Sequence, residues 1–226
     1  MEIIDKLKNP VFEEDITKSF RLDLNAYLAM FFTIACPLFW SIGGRIEYHT
    51  KIFSKIFQGN SKYANNVFAG IAIILSIFRN YYLVKSLIIS PRIYLQSIDA
   101  EIIITSIAVL IFLIGCSFVF GAYYRLGISG TYYGDHFGIV MDEKIESFPF
   151  NVTDHPMYNG AITIYLGFVV YFRSVTGILL LAVLFGMYKF AEYAEDPMTD
   201  KIYGNKEKEG EKQKEKEKQK AKKKFN

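Results

Sequence analysis

Three carboxylates, Glu192, Glu195 and Asp196, close the last apolar stretch of the chain. On a helix, Glu192 shares a face with Glu195 at i, i+3 and with Asp196 at i, i+4. Acids at a helix C-terminus oppose the macrodipole, so local stability does not account for them; a cationic ligand or partner would. Upstream, Leu126-Gly127-Ile128-Ser129-Gly130-Thr131-Tyr132-Tyr133-Gly134-Asp135-His136-Phe137-Gly138 sets four glycines among aromatics. Glycine lets a ligand approach the backbone, and aromatic faces suit an adenine or an ammonium. Taken alone, such a loop is also an ordinary turn. The run Phe148-Pro149-Phe150-Asn151-Val152-Thr153-Asp154-His155-Pro156-Met157-Tyr158 then enters a helix with Pro156 as its first residue. A helix N-terminus binds anions such as a carboxylate or a phosphate. The three histidines, His49, His136 and His155, lack metal-ligand spacing, so no metal site is expected. No Walker-type loop, nucleophile elbow or soluble Rossmann fingerprint is present, which removes support for a kinase or a hydrolase.

The elements that must position these residues are apolar. The chain has 226 residues, 51% hydrophobic and 16% aromatic, despite a polar tail that dilutes both figures. Residues 24–44, 64–84, 102–124, 156–172 and 174–191 are nearly unbroken apolar runs. About 20 such residues span a ~30 Å hydrocarbon core, whereas a soluble domain would show broken periods of 3.6 or 2. The expected fold is therefore all-α: a polytopic membrane helical bundle of four to five membrane helices, ending in a C-terminal helical hairpin that turns at Arg173-Ser174. Residues 1–23 are a polar N-terminal segment, 24–203 the membrane domain and 204–226 a Lys/Glu-rich tail, disordered or a solvated helix near anionic lipid. The longest polar connection in the body, 125–155, is too short for a core of its own but long enough to cap the helix ends. Glu13, Glu14 and Asp15 stand where a cleavable signal peptide would be basic.

The formal net charge is +3, and residues 206–224 alone hold ten Lys and five Glu, so the rest of the chain sums to −2. The basic excess belongs to the tail, and nucleic acid is not an expected partner. Lys189, Lys201 and the tail place the C-terminus in the cytosol by the positive-inside rule. With a tight final hairpin, loop 125–155 falls on the same side. The segment 45–66 interleaves Arg45, Lys51, Lys55 and Lys62 with Ile52, Phe53, Ile56 and Phe57, and reads as a basic amphipathic helix at the cytosolic interface. Cys36 and Cys116 lie in apolar runs as free thiols. Arg79-Asn80 sits near the end of a span, where an arginine ordinarily snorkels to the interface.

The order of these motifs resembles the phospholipid methyltransferase family, in its short single-unit phosphatidylethanolamine N-methyltransferase form. The resemblance rests on Cys36-Pro37-Leu38-Phe39-Trp40 with Arg45 and Glu47, Ser90-Pro91-Arg92, the glycine-rich stretch from Leu126 to Ile139, Phe148-Pro149-Phe150-Asn151, Pro156-Met157-Tyr158 with Gly160, and Glu195-Asp196-Pro197 with Thr199, Ile202 and Tyr203. It runs in one register over about residues 25–203. The resemblance implies S-adenosyl-L-methionine as cofactor, a phospholipid substrate in the bilayer and an endoplasmic reticulum membrane location, with mitochondrial contact sites as an alternative; it sets no oligomeric state. Lys223-Lys224 near the C-terminus resembles a dilysine retrieval signal. The family's cofactor motifs fall on Leu113-Ile114-Gly115, which keeps only the second glycine of a Gly-x-Gly, and on Glu195-Asp196, where the family has two glutamates. Asp154-His155-Pro156-Met157-Tyr158 resembles the basic-His-Pro-x-Tyr sequence of wider relatives, with Asp in the basic position.

On that resemblance, the reaction is N-methylation of phosphatidylethanolamine and its mono- and dimethyl derivatives to phosphatidylcholine. A primary ammonium, with a pKa near ~10, must lose a proton before it can attack. His155, Glu195 and Asp196 are the candidate catalytic residues. Glu195 and Asp196, with Leu113, Ile114 and Gly115, are the expected cofactor-binding set, and His155 would bind the cofactor carboxylate or relay the proton. Tyr132, Tyr133, Phe150 and Tyr158 would cradle the headgroup ammonium, although each also suits an interfacial belt. Two other readings stand beside this one. An isoprenylcysteine carboxyl methyltransferase would share the cofactor, and a non-catalytic membrane-shaping hairpin protein would need neither the acids nor the glycine-rich loop.

Overall fold

The computed structural model describes residues 20–93, 95, 97–141 and 145–225, and among the side chains of the last stretch not those of 207, 209–211 and 213–225. The acidic residues 13–15 and the side chains of the terminal lysine pair therefore lie outside the described residues. Among the described residues the chain is helical without strands. Helix α1 (Leu24–Thr50) starts at Asp23, whose carboxylate accepts from Ala26 N at 2.8 Å, and stops where Lys51 takes φ 55°. A short α2 (Ile52–Ile56) follows, and Gln58 and Gly59, at φ 55° and 82°, turn the chain into α3 (Ser61–Ile89). Asn60 caps α3 by accepting from Tyr63 N at 3.0 Å, and Pro91 lies just past its end. Helix α4 (Ile98–Thr131) is followed by a 3-10 turn (Gly134–Phe137), then by α5 (Pro156–Phe172) and α6 (Val175–Phe225).

Two expectations are revised. The segment 45–66 is not one amphipathic helix: the left-handed Lys51 and the Gln58-Gly59 turn divide it among the last turns of α1, α2 and the start of α3. Glu47, fully buried, accepts from Phe53 N at 2.8 Å and Ser54 N at 3.3 Å, so its carboxylate neutralises the N-terminus of α2. The polar connection begins later than Arg125, because α4 continues to Thr131 through one non-helical residue, Gly127 at φ 62°.

Helices α1, α3, α4 and α6 are each long and apolar enough to cross a membrane. The 17 residues of α5 rise ~25 Å. The five long elements run antiparallel between two ends. At one end Arg21 N donates to Thr176 Oγ1 at 3.1 Å, Ile93 N to Arg173 O at 3.1 Å, and Arg173 pairs with Glu101 at 3.1 Å. Those contacts join the starts of α1, α4 and α6 to the α5–α6 turn at Arg173, whose φ is 52°. At the other end gather the C-termini of α1 and α4, the N-termini of α3 and α5, and the part of α6 that carries the acids.

Helix α4 shows how the apolar surface is divided. Its buried residues, Ala108, Gly115 and Ala122, recur every seven positions, and the first two meet glycines of α5. A Cβ on Gly160 would lie 3.0 Å from Gly115 O, and one on Gly167 3.0 Å from Ala108 O, so the backbones of α4 and α5 touch. The opposite face of α4 is open, with Phe120 70% and Leu110 59% exposed. In water such a face would aggregate; in lipid it is the solvated surface.

Candidate active site

The end that gathers α1, α3, α4, α5 and α6 encloses a cavity of about 270 Å³, near the ~300 Å³ lower bound of small-molecule sites. Trp40 contributes from α1, Ser76 and Arg79 from α3, Val119, Leu126, Gly130 and Thr131 from α4, and Tyr132 and Tyr133 from the turn that follows. Phe150, Asp154 and His155 come from the following loop, Pro156, Met157, Tyr158 and Ala161 from α5, and Tyr188 and Glu195 from α6.

Glu195 is the chemical centre of this wall. Its Oε2 accepts from Tyr158 OH at 3.0 Å and from Tyr133 OH at 3.3 Å. Both hydroxyls choose the same oxygen, and Oε1 takes neither. Tyr133 reaches it because φ 59° at that residue ends the run of α4 and folds the ring against Gly44 of α1, where an added Cβ would lie 2.7 Å from the ring. Tyr158 reaches it from the first turn of α5. The α6 backbone is fixed at the same level by Arg45, whose Nη2 donates to Ala194 O at 2.7 Å. Asp196, one residue on, points elsewhere: it is 55% exposed and pairs with His155 Nε2 at 3.1 Å. His155 is the residue before Pro156, so this pair clips the start of α5 to α6.

The phospholipid methyltransferase family pattern matches residues 103–206, a span that holds most of α4, the loop, α5 and the acids of α6. Phosphatidyl-N-methylethanolamine N-methyltransferase of Schizosaccharomyces pombe is 36% identical over 184 residues, 81% of this chain and 92% of that protein. The protein of the same name from Saccharomyces cerevisiae is 38% identical over 80% of this chain and 86% of its own. Phosphatidylethanolamine N-methyltransferase of Rattus norvegicus is 34% identical over 75% and 83%. The chain belongs to the phospholipid methyltransferase family. No solved structure matches it.

Against that family background the cavity sorts the residues singled out in the sequence. Tyr132, Tyr133, Phe150 and Tyr158 all line it, together with His155 and Glu195. The aromatics are thus walls of one chamber rather than a belt. Asp196 is tied to the site through His155 and stays outside the lining. Leu113, Ile114 and Gly115 are not in the lining either. Leu113 is 57% and Ile114 46% exposed on the outward face of α4, and Gly115 is buried where α4 crosses α5, its hypothetical Cβ 2.6 Å from Ile164 N. Glu192 pairs with Lys189 at 2.7 Å.

Tyr188, Trp40 and Arg79 are among the lining residues that had no assigned role in the sequence. Tyr188 stands seven positions before Glu195, two helical turns along one face, so the period of α6 carried the signal. Trp40 sits in the Cys36-Pro37-Leu38-Phe39-Trp40 motif, and its buried Nε1 donates to no partner among the described residues. Arg79 does not snorkel. It is 6% exposed inside the bundle, with its guanidinium between the rings of Tyr165 and Tyr188 at 5.8 and 5.7 Å.

Proposed function

We propose that this chain methylates the amine of phosphatidylethanolamine and of its mono- and dimethyl forms, yielding phosphatidylcholine, with S-adenosyl-L-methionine as donor, in the endoplasmic reticulum membrane. The observation that carries the reading is a single chamber, inside a bundle built for the bilayer, in which a carboxylate held by two tyrosine hydroxyls stands among aromatic faces. The fit to a cationic donor rests on Glu195, whose Oε1 neither hydroxyl occupies. His155 and the first turn of α5 would hold the donor's carboxylate. When bound, the donor supplies a methyl group on a sulfonium, ready for in-line transfer to a neutral amine.

The chain's own residues do the rest. The substrate amine arrives as an ammonium, and Glu195 Oε1 attracts it by charge. Its proton leaves through Glu195 or through His155 to Asp196, whose half-exposed side chain would connect the chamber to bulk water. As methyls accumulate the headgroup loses N–H donors but keeps its charge, and recognition passes to the faces of Tyr132, Tyr133, Phe150 and Tyr158. The walls from α1, α3 and α6 exclude water, which strengthens each of these attractions. Residues 204–226, Lys-rich, would lie on the cytosolic side near anionic lipid.

The test is lipid product analysis of purified full-length protein in liposomes, with phosphatidylethanolamine, its monomethyl form and its dimethyl form supplied separately together with S-adenosyl-L-methionine. Methyl incorporation into the headgroup nitrogen is expected. Incorporation into none of the three lipids, or into the carboxylate of an isoprenylated cysteine instead, would end this reading.

A further inference from the structure

Arg79 is the one Arg or Lys among the residues that line the chamber, and none of the ion pairs among the described residues involves it. Its partners are neutral: Nε donates to Asn80 Oδ1 at 3.1 Å, Nη1 to the Tyr188 hydroxyl, and the Tyr165 hydroxyl in turn donates to Asn80 Oδ1. It stands ten residues before the end of α3 at Ile89, so it lies ~15 Å along the helix from that end, about half of a ~30 Å core. The side chain is not turned out toward the interface; it is buried inside the bundle. A guanidinium held at membrane depth by two aromatic faces and an amide, with no carboxylate paired to it among the described residues, is positioned for an anion that arrives with the reactants.

We propose that Arg79 binds the phosphodiester of the lipid substrate. The proposal rests on the reading of the chamber as the methyl-transfer site. Tyr188, which receives Nη1, is seven residues from Glu195 on α6, a rise of ~10 Å. In a phosphatidylethanolamine the phosphorus and the nitrogen are separated only by an oxygen and two methylene groups, a length that fits within this rise. With the phosphate at Arg79, the nitrogen projects toward the Glu195 carboxylate and the Tyr133 and Tyr158 rings, where the methyl group is to be delivered. The donor's carboxylate has its own candidates at the other side of Glu195, in His155 and the start of α5. The phosphate keeps one negative charge in every methylation state, so a single arginine would hold all three substrates in the same register while the amine changes.

The experiment measures methylation by the full-length protein in lipid nanodiscs, with dimethyl-phosphatidylethanolamine and with a phosphate-free analogue, a diacylglycerol carrying the dimethylaminoethyl group on an ether. Cofactor affinity and thermal unfolding are measured alongside. Arg79→Gln is expected to raise the KM for the phospholipid about 10- to 100-fold, the range for a charged hydrogen bond, and to leave turnover of the analogue and cofactor affinity unchanged. Arg79→Lys should recover part of the loss. Equal losses on both substrates would reduce Arg79 to a packing role, and weakened cofactor binding with an unaltered lipid KM would assign it to the cofactor carboxylate; either result overturns the proposal, as does an unaltered lipid KM alone. If Arg79→Gln unfolds, Arg79→Lys decides by the same comparison of the two substrates. Wild-type protein that methylates neither substrate would instead refute the reading of the chamber itself.

Discussion

Gly115 separates two physical accounts of the motif on α4. A Cβ there would lie 2.6 Å from Ile164 N and 2.7 Å from Gly160 O, both in the backbone of α5, whereas ordinary contact begins at 3.4 Å. Backbone has no rotamer to yield, so Gly115→Ala must drive α5 away by about 1 Å, an overpacking cost of about 1–3 kcal/mol. Tyr158 and His155 sit at the head of α5, so the same shift lengthens the 3.0 Å bond to Glu195 and the 3.1 Å pair to Asp196. A displacement of that size at a reacting centre can lower turnover about 100-fold. Leu113 is 57% exposed on the lipid face, and Leu113→Gly, which restores a glycine at both ends of the motif, should cost only the ~1 kcal/mol helix penalty of glycine. The assay is thermal unfolding in detergent, turnover, and cofactor affinity by calorimetry for both variants. The expected pattern is a lower unfolding temperature and lower turnover for Gly115→Ala, and wild-type cofactor affinity for Leu113→Gly. Tighter cofactor binding in Leu113→Gly, with Gly115→Ala folded and stable as wild type, would refute the packing account and return the motif to the cofactor.

Glu195→Gln should lower turnover by about 100-fold or more with insertion intact, as the role proposed for its charge beside the amine implies, whereas Asp196→Asn should cost less, because a pair this exposed contributes below about 1 kcal/mol; equal losses in steady-state kinetics would contradict the division of roles between the two acids. His155→Gln should flatten one limb of the pH–rate profile if the imidazole passes the proton, and should mainly raise the cofactor KM if it holds the carboxylate, so unaltered kinetics at every pH would confine it to the clip on Asp196. A single cysteine at Asn151, in a Cys36→Ser and Cys116→Ser background, should react with an impermeant thiol reagent on sealed microsomes, and a glycan on Asn151 or labelling only after permeabilisation would put the loop in the lumen, opposite the basic tail.

What the sequence made legible follows from what one-dimensional patterns encode. Apolar length located the helices, and Pro156 and Phe172 bounded α5 as read, because a proline start and an arginine at positive φ are local events. The aromatics and acids of the site were legible by type. The interruptions were not: nothing in the spacing of residues 45–66 announces that Lys51 takes φ 55°, since the break is fixed by the buried Glu47 carboxylate reaching the N–H groups of α2 across the turn. Arg79 was misplaced for a related reason. Its distance from the end of the apolar run 64–84 suggested an interface, but α3 continues to Ile89, and only the packing of Tyr165 and Tyr188 makes the interior hospitable to a guanidinium.

The adjacent acids gain separate meanings from the helix that carries them. Successive residues on an α-helix point about 100° apart, so Glu195 and Asp196 cannot both enter a chamber on one side of α6. Glu195 enters and meets two hydroxyls; Asp196 turns toward the loop and meets His155. That divergence fixes α5, because His155 and Tyr158 lie one turn apart at its head and are gripped by consecutive residues of α6. Arg45 grips the preceding carbonyl, Ala194 O, from α1. Three successive residues of α6 thus tie down α1, the end of α4 through Tyr133, and α5. Rotating α6 by a single residue would break all of these contacts together, which is why an acid pair in this position, rather than a lone carboxylate, sets the register of the whole chamber.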